Sequence, residues 1–400
     1  MSRTRHISVS GALALAIASL TVLGTATEGR AAAPSCHGHP ATIVMRPGQR
    51  QVMGTNHRDV IVGNGTWNEI RGRGGDDVIC GGRFGDGLYG GKGDDHLYGG
   101  KGEDFLTGAE GDDVVVAGTP SAEHQNAVAE GAGDDRIVVS AYDVVSYLPV
   151  DAPPVDADLS TGTVTGQGTD QVTMPSGASI DLRVPSGSVV HGSPYRDLVF
   201  AHDSTLYGGG GNDAFFESGS EVHGNAGSDY VETGLTSGDR PTFVYGGTGQ
   251  DFLDAFELDP GTEAIFDGGP GSNDSASVTV RQAQGQTTPY PLVDLDLASH
   301  LTVGPSTWPF TGFESVDLTV DGGVADAVSA EGTDGSDTLG IVAGDVPVTV
   351  HTLGGDDQVS TQAGDDLVDG GDGTDSADTA GGQDTCISVE QPTHCESVTP

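Results

Sequence analysis

Three observations predict an all-β fold, specifically a right-handed parallel β-roll or β-solenoid built from nonapeptide repeats, with irregular wider coils. Glycine accounts for 65 of the 400 residues, more than twice the roughly 7% of ordinary proteins, so turns dominate the chain. A nine-residue unit with an acid at its sixth position and an aliphatic at its eighth runs in phase from 54 to 116. Helical periodicity is missing from the chain after its first thirty-odd residues.

Those first residues are a separate text. Arg3 and Arg5 precede a short apolar core, VSGALALAIASLTVLG (9–24), and small residues follow at 31–33. The pattern predicts a secretory signal over 1–33, cleaved near Ala33, with a core too short to span a membrane. Export would place Cys36, Cys80, Cys386 and Cys395 in an oxidising compartment, where an even count suits disulfides. Proximity along the chain favours Cys36 with Cys80 and Cys386 with Cys395, as staples at the two ends of the repeats. A zinc site from Cys36, His37 and His39 is the alternative, without a C-x-x-C spacing to support it.

The first repeat block, within an expected segment 34–118, has Asp59, Asn68, Asp77, Asp86, Asp95, Asp104 and Asp113 at the sixth position. Ile61, Ile70, Ile79, Leu88, Leu97, Leu106 and Val115 hold the eighth. The glycine-rich first six positions are turn chemistry, and the last three form a short strand with one side chain inward. Such a unit buries nothing alone. Stacked coil on coil, the inward aliphatics make a continuous ladder. Stacking also brings aspartates eighteen apart, such as Asp77 and Asp95, into repulsion of about 4 kcal/mol at an effective dielectric of 20. A hard dication between them reverses the sign, and carboxylate and carbonyl oxygens with few sulfur or imidazole donors suit calcium better than magnesium.

The frame G-G-x-G-x-D-x-U-x, clearest in GGKGDDHLY (90–98) and GGKGEDFLT (99–107), resembles the RTX, or haemolysin-type, calcium-binding nonapeptide repeat. The resemblance implies Ca²⁺ held between the turns of successive coils. Carried over, the ligands are the carboxylates of Asp77, Asp86, Asp95, Asp104 and Asp113 with carbonyls around Gly72, Gly74, Gly90, Gly91, Gly93, Gly99, Gly100 and Gly102. Asp59 belongs to a departing unit, which has Thr55 and His57 in place of glycines. Asn68 and Phe84 mark two further departures.

Beyond 118 the period breaks and returns in pieces. A stretch 119–200 is expected to be an irregular insert carrying one unit, GAGDDRIVV (131–139), with Asp135. Residues 201–275 form a degenerate block with Asp213, Asp229 and Asp251 at the sixth position. The stretch 276–340 is a second insert resembling the first: Asp158 to Asp197 and Asp296 to Asp337 span 39 and 41 residues. Both are expected to be wider coils of the same solenoid. In 341–400 the frame relocks at Asp357, Asp366, Asp375 and Asp384, and its inward residues shrink to Ala377 and Cys386, as at a terminal cap.

Fifty-nine acids against 16 bases give a formal net charge of -43, which disfavours nucleic acid and anionic lipid as partners. No H-E-x-x-H, no G-x-S-x-G and no helical toxin segment appears, so an enzyme is not expected. The sequence thus points to a secreted, extracellular protein that folds on binding Ca²⁺, with a structural or adhesive role and a glycan or cell-surface protein as a conceivable partner. The alternative is an extracellular polysaccharide-acting enzyme with its site on the inserts.

Overall fold

The computed structural model describes residues 33–399 apart from 121–124, 149–151, 235–239, 259, 272, 283–287 and 322. The expected secretory signal lies outside the described residues, save Ala33. Pro34–Pro400 packs as one compact unit, an all-β parallel solenoid of about 18 turns.

Each coil has two strands, one on each of two faces. On face I, Val60–Val62, Val78–Arg83, His96–Lys101 and Val114–Thr119 pair in parallel at a register of eighteen. On face II, Glu69–Gly74, Gly87–Lys92 and Phe105–Glu110 do the same. Apart from Val60–Val62, these strands are six residues long, twice the three that one unit supplies, because pairing continues through the first three positions of the following unit. The eighth-position residues Ile61, Ile70, Ile79, Leu88, Leu97, Leu106 and Val115 are all fully buried. They begin one core cluster that runs from Met45 to Val389, the aliphatic ladder the repeat predicts.

The two inserts are the same device used twice. Asp156–Asp158, Thr163–Thr165 and Thr169–Thr173 form an antiparallel meander whose outer strands pair in parallel with the preceding and following rungs of face I. Val293–Asp296, His300–Val303 and Ser306–Thr311 repeat the arrangement on the same face. Face II passes each meander with a single strand, Asp181–Arg183 or Ser315–Val320. Each insert is therefore a coil of the solenoid, widened by strand reversal. It lengthens face I by two strands, about 10 Å, relative to face II.

Cys36 is bonded to Cys80 and Cys386 to Cys395, the pairing that chain proximity favours. Cys36 is thus unavailable as a thiolate, and His37 stacks on the Tyr98 ring at 3.5 Å, so the zinc alternative is excluded. Among the described residues, no helix is long and apolar enough to cross a membrane.

Candidate metal centre

The turns between the faces form two edges. Edge I leads into face I and carries Asp59, Asp77, Asp95, Asp113, Asp135 and Asp170; edge II leads into face II and carries Asn68, Asp86 and Asp104. Along both edges one hydrogen bond repeats: the Oδ1 of one sixth-position aspartate accepts the backbone N–H of its counterpart one coil earlier, whereas in Asp59, Asp197 and Asp337 it accepts a hydroxyl and in Asp366 the Val348 N–H. Asp77 to Asp95 is 2.8 Å, Asp86 to Asp104 is 2.8 Å and Asp95 to Asp113 is 2.7 Å. Successive aspartates are therefore linked side chain to backbone.

The second oxygen distinguishes two classes of rung. The Oδ2 atoms of Asp77, Asp86, Asp95, Asp104 and Asp113 are buried without a hydrogen-bond partner, as are those of Asp135, Asp213, Asp229, Asp251, Asp357 and Asp375. Asp274 and Asp384 join this class; neither was among the ligand candidates read from the sequence. Asp59 and Asp366 fall outside it. Thr55 donates to Asp59 Oδ2 through its N–H at 2.7 Å and its hydroxyl at 2.9 Å, and the Thr361 hydroxyl donates to Asp366 at 2.7 Å. Thr333 satisfies Asp337 in the same way as Thr55, and Ser193 donates its N–H to Asp197 Oδ2 at 2.6 Å and its hydroxyl to Oδ1 at 3.1 Å. For Asp59, Asp197 and Asp337 the sequence signal is a Ser or Thr at the second position, four residues before the aspartate; for Asp366 it is Thr361, five before.

Glycine is required beside the orphaned oxygens. A Cβ at Gly81, a first-position glycine, would lie 2.7 Å from Asp86 Oδ2 and 2.8 Å from the carbonyl oxygen of Gly99 on the next coil. The same two kinds of oxygen flank Gly72, Gly90 and Gly99. The second- and fourth-position glycines Gly91, Gly93, Gly100 and Gly102 have φ between +111° and +134° and lie against the backbone of the preceding coil. Gly74 pairs in the ladder with Lys92 at ordinary contact distance. Phe84 takes a fourth position at φ +69°, strain of about 1–2 kcal/mol for a side-chain-bearing residue.

The electrostatics follow from burial. Desolvation pushes the carboxyls of Asp86 and Asp95 up to about 7 and that of Asp113 to about 8, with neighbouring carboxylates adding a smaller share. Asp77 and Asp104 rise to about 6 for the same leading reason. The cost of the acidic ladder is thus chiefly loss of water, and only secondarily the mutual repulsion that the spacing suggests. At the end of the first block Glu130 replaces a first-position glycine beside Asp135, and burial drives its carboxyl well above the usual range.

Further along, the edges diverge. Edge II stays acidic through Asp197, Asp213, Asp229, Asp251 and Asp274, and the Glu314 carboxylate then accepts the Asp274 N–H at 2.8 Å. Edge I changes to hydroxyls: Ser204 Oγ accepts the Ser188 N–H at 3.2 Å, and Ser220 Oγ accepts that of Ser204 at 3.0 Å. Near the C-terminus both edges are acidic again and each ends in a glutamate, Glu390 bonded by the Asp375 N–H and Glu396 by that of Asp384. Among the described residues no three His, Cys, Asp or Glu side chains converge on a metal-sized space, so a cation on these edges would depend on backbone carbonyls as well as carboxylates.

The RTX calcium-binding nonapeptide repeat matches the chain in four copies, over residues 53–88, 85–115, 201–216 and 351–386. No protein of curated function matches it significantly.

Proposed function

We propose that this chain, which carries RTX calcium-binding nonapeptide repeats, is a secreted protein whose solenoid is assembled by calcium outside the cell and serves a structural or adhesive role. The observation behind this reading is the row of orphaned aspartate oxygens. A buried polar atom without a partner costs about 1–3 kcal/mol. The thirteen aspartates in this state would together rival or exceed the 5–15 kcal/mol net stability of a typical domain. A compensating cation is the economical solution, and an oxygen-only donor set of carboxylates and glycine-loop carbonyls suits Ca²⁺.

On this reading the ligands are the orphaned carboxylates, Asp77, Asp86, Asp95, Asp104 and Asp113 foremost, with carbonyls of the adjoining glycine turns. The ion supplies positive charge to atoms that have lost their water. The chain supplies the rest: Oδ1 fixes each carboxylate to the preceding coil, glycine clears the space beside Oδ2, and the aliphatic ladder sets the spacing. Asp59, Asp197, Asp337 and Asp366 act as rungs completed by threonine or serine. Two disulfides suit an oxidising compartment, in keeping with export.

A calcium titration of the protein followed by circular dichroism, with magnesium as the control, tests the proposal. The expected result is a cooperative gain of β signal specific to calcium, each bound ion adding about 1.4 kcal/mol at tenfold excess over its dissociation constant. A fully folded spectrum in chelator, unchanged by calcium, would overturn it.

A further inference from the structure

A wide coil splays the edge that it shares with its neighbours. At the first insert, face I passes from Thr169–Thr173 through Thr163–Thr165 and Asp156–Asp158 to Val189–His191, three strand steps or about 14 Å. Face II covers the same stretch in one step, from Asp181–Arg183 to Leu198–Phe200, about 5 Å. The edge II turns that leave the outer two of these face I strands, at 174–178 and 193–195, therefore diverge towards face I, and a wedge-shaped cleft of about 440 Å³ opens between them. The meander's own turn, 159–162, forms its floor. Tyr195 reaches from one wall to the other: a Cβ on Gly177 would lie 3.9 Å from its ring, yet Tyr195 remains 46% exposed.

The cleft is uncharged in a chain of which 19% of the residues are charged: among the described residues that line it, Tyr195 alone is ionisable. The carboxylates at its margins are already engaged. Asp158 accepts the Ser160 hydroxyl at 2.6 Å and N–H at 2.9 Å, and Asp197 accepts the Ser193 N–H at 2.6 Å. What remains is a ring with neutral hydrogen-bonding groups around it. Gln171 donates its amide nitrogen to Thr163 at 2.9 Å, which leaves the amide oxygen to accept, and Thr173 and Ser176 add hydroxyls. Strand reversal does not by itself produce such a lining, because the corresponding turn of the second meander sets His300 3.5 Å from Asp294 and 3.7 Å from Asp296. We propose that the cleft is a binding site for a neutral saccharide, with Tyr195 packed against a sugar ring and Gln171, Thr173 and Ser176 exchanging hydrogen bonds with its hydroxyls. Its volume lies within the range of about 300–1,000 Å³ of small-molecule sites. The net charge of -43 repels acidic glycans at long range, and a lining without carboxylates offers nothing to an amino sugar. The inference rests on the adhesive reading above, to which it gives a ligand, and not on calcium.

Binding of the full chain, in saturating calcium, to an array of neutral, acidic and amino glycans provides the test, with calorimetric titration of the best-bound glycan as the quantitative readout. Tyr195→Ala removes the ring and Tyr195→Phe keeps it. Saturable binding confined to neutral glycans is expected, weakened about tenfold by Tyr195→Ala, equivalent to about 1.4 kcal/mol, and restored by Tyr195→Phe. No binding to any glycan, preference for acidic or amino glycans, or equal binding by Tyr195→Ala would overturn the proposal. If Tyr195→Ala lost its β spectrum, Gln171→Ala, at an exposed position, would be read by the same criteria. The outcome is separable from that of the calcium titration. A chain that is folded in chelator and binds neutral glycans would refute only assembly by calcium, and one assembled by calcium that binds none would refute only the saccharide site.

Discussion

At the scale of single residues, the two oxygens of each sixth-position aspartate have different tasks. Oδ1 is a structural acceptor in every rung, whereas Oδ2 is either bonded by a hydroxyl, as Thr55 bonds Asp59, or left bare, as in Asp95. This division yields a contrast between two substitutions of the same kind. Asp95→Ala should flatten the calcium titration, because the ladder couples it to both Asp77 and Asp113. Asp197→Ala should lower stability in saturating calcium by about 1.5–3 kcal/mol, the value of hydrogen bonds to a charged group, and leave the steepness of the titration unchanged. Circular dichroism across a calcium series separates them, and equal flattening in both variants would reject the two classes of rung. The aspartates and their phase are legible in the sequence. Which ones are already satisfied is legible only once Thr55, Ser193 and Thr333 are recognised as sharing one offset, and that offset has meaning only in the folded turn.

At the scale of the turn and its edge, burial converts carboxylates into pH-sensitive elements. Asp86, Asp95 and Asp113 have carboxyls raised to about 7, 7 and 8 from an unfolded value near 3.9. The unfolded chain releases these protons first, so the contribution to the calcium-free fold is fully present below about pH 4, falls progressively as pH rises, and is gone once the folded carboxyls ionise near pH 7 to 8. In chelator, the urea midpoint at pH 5 should therefore exceed that at pH 8, and calcium should restore stability at pH 8. A calcium-free midpoint that rises with pH would contradict the desolvated edge. Edge I between 188 and 220 lies outside this behaviour, because Ser188, Ser204 and Ser220 link its coils without charge. The sequence shows the broken period in that region but not its consequence. A serine such as Ser188 or Ser220, directly after a glycine, reads as loop, and only coil-on-coil stacking reveals it as a rung.

At the scale of the whole molecule, a solenoid in which each coil contacts only its neighbours is weakest at its ends, and the disulfides sit there. Cys36–Cys80 closes a separation of 44 residues, worth up to about 4 kcal/mol in the unfolded-chain entropy account. The double substitution Cys36→Ser with Cys80→Ser should raise hydrogen exchange in the first coils, around residues 35–80, and leave the middle coils protected. Uniform loss of protection along the chain would show that the coils do not behave as neighbours in a row. The sequence by itself determined the all-β class, the inward ladder from Ile61 to Val115 and the acidic turns, because each is fixed by local chemistry repeated at constant spacing. The tertiary structure decided what repetition cannot encode. Whether an insert reverses its strands, as Val293–Asp296 and its two successors do, depends on which rung each strand meets. Which carboxylate is stranded without water depends on the coil above it.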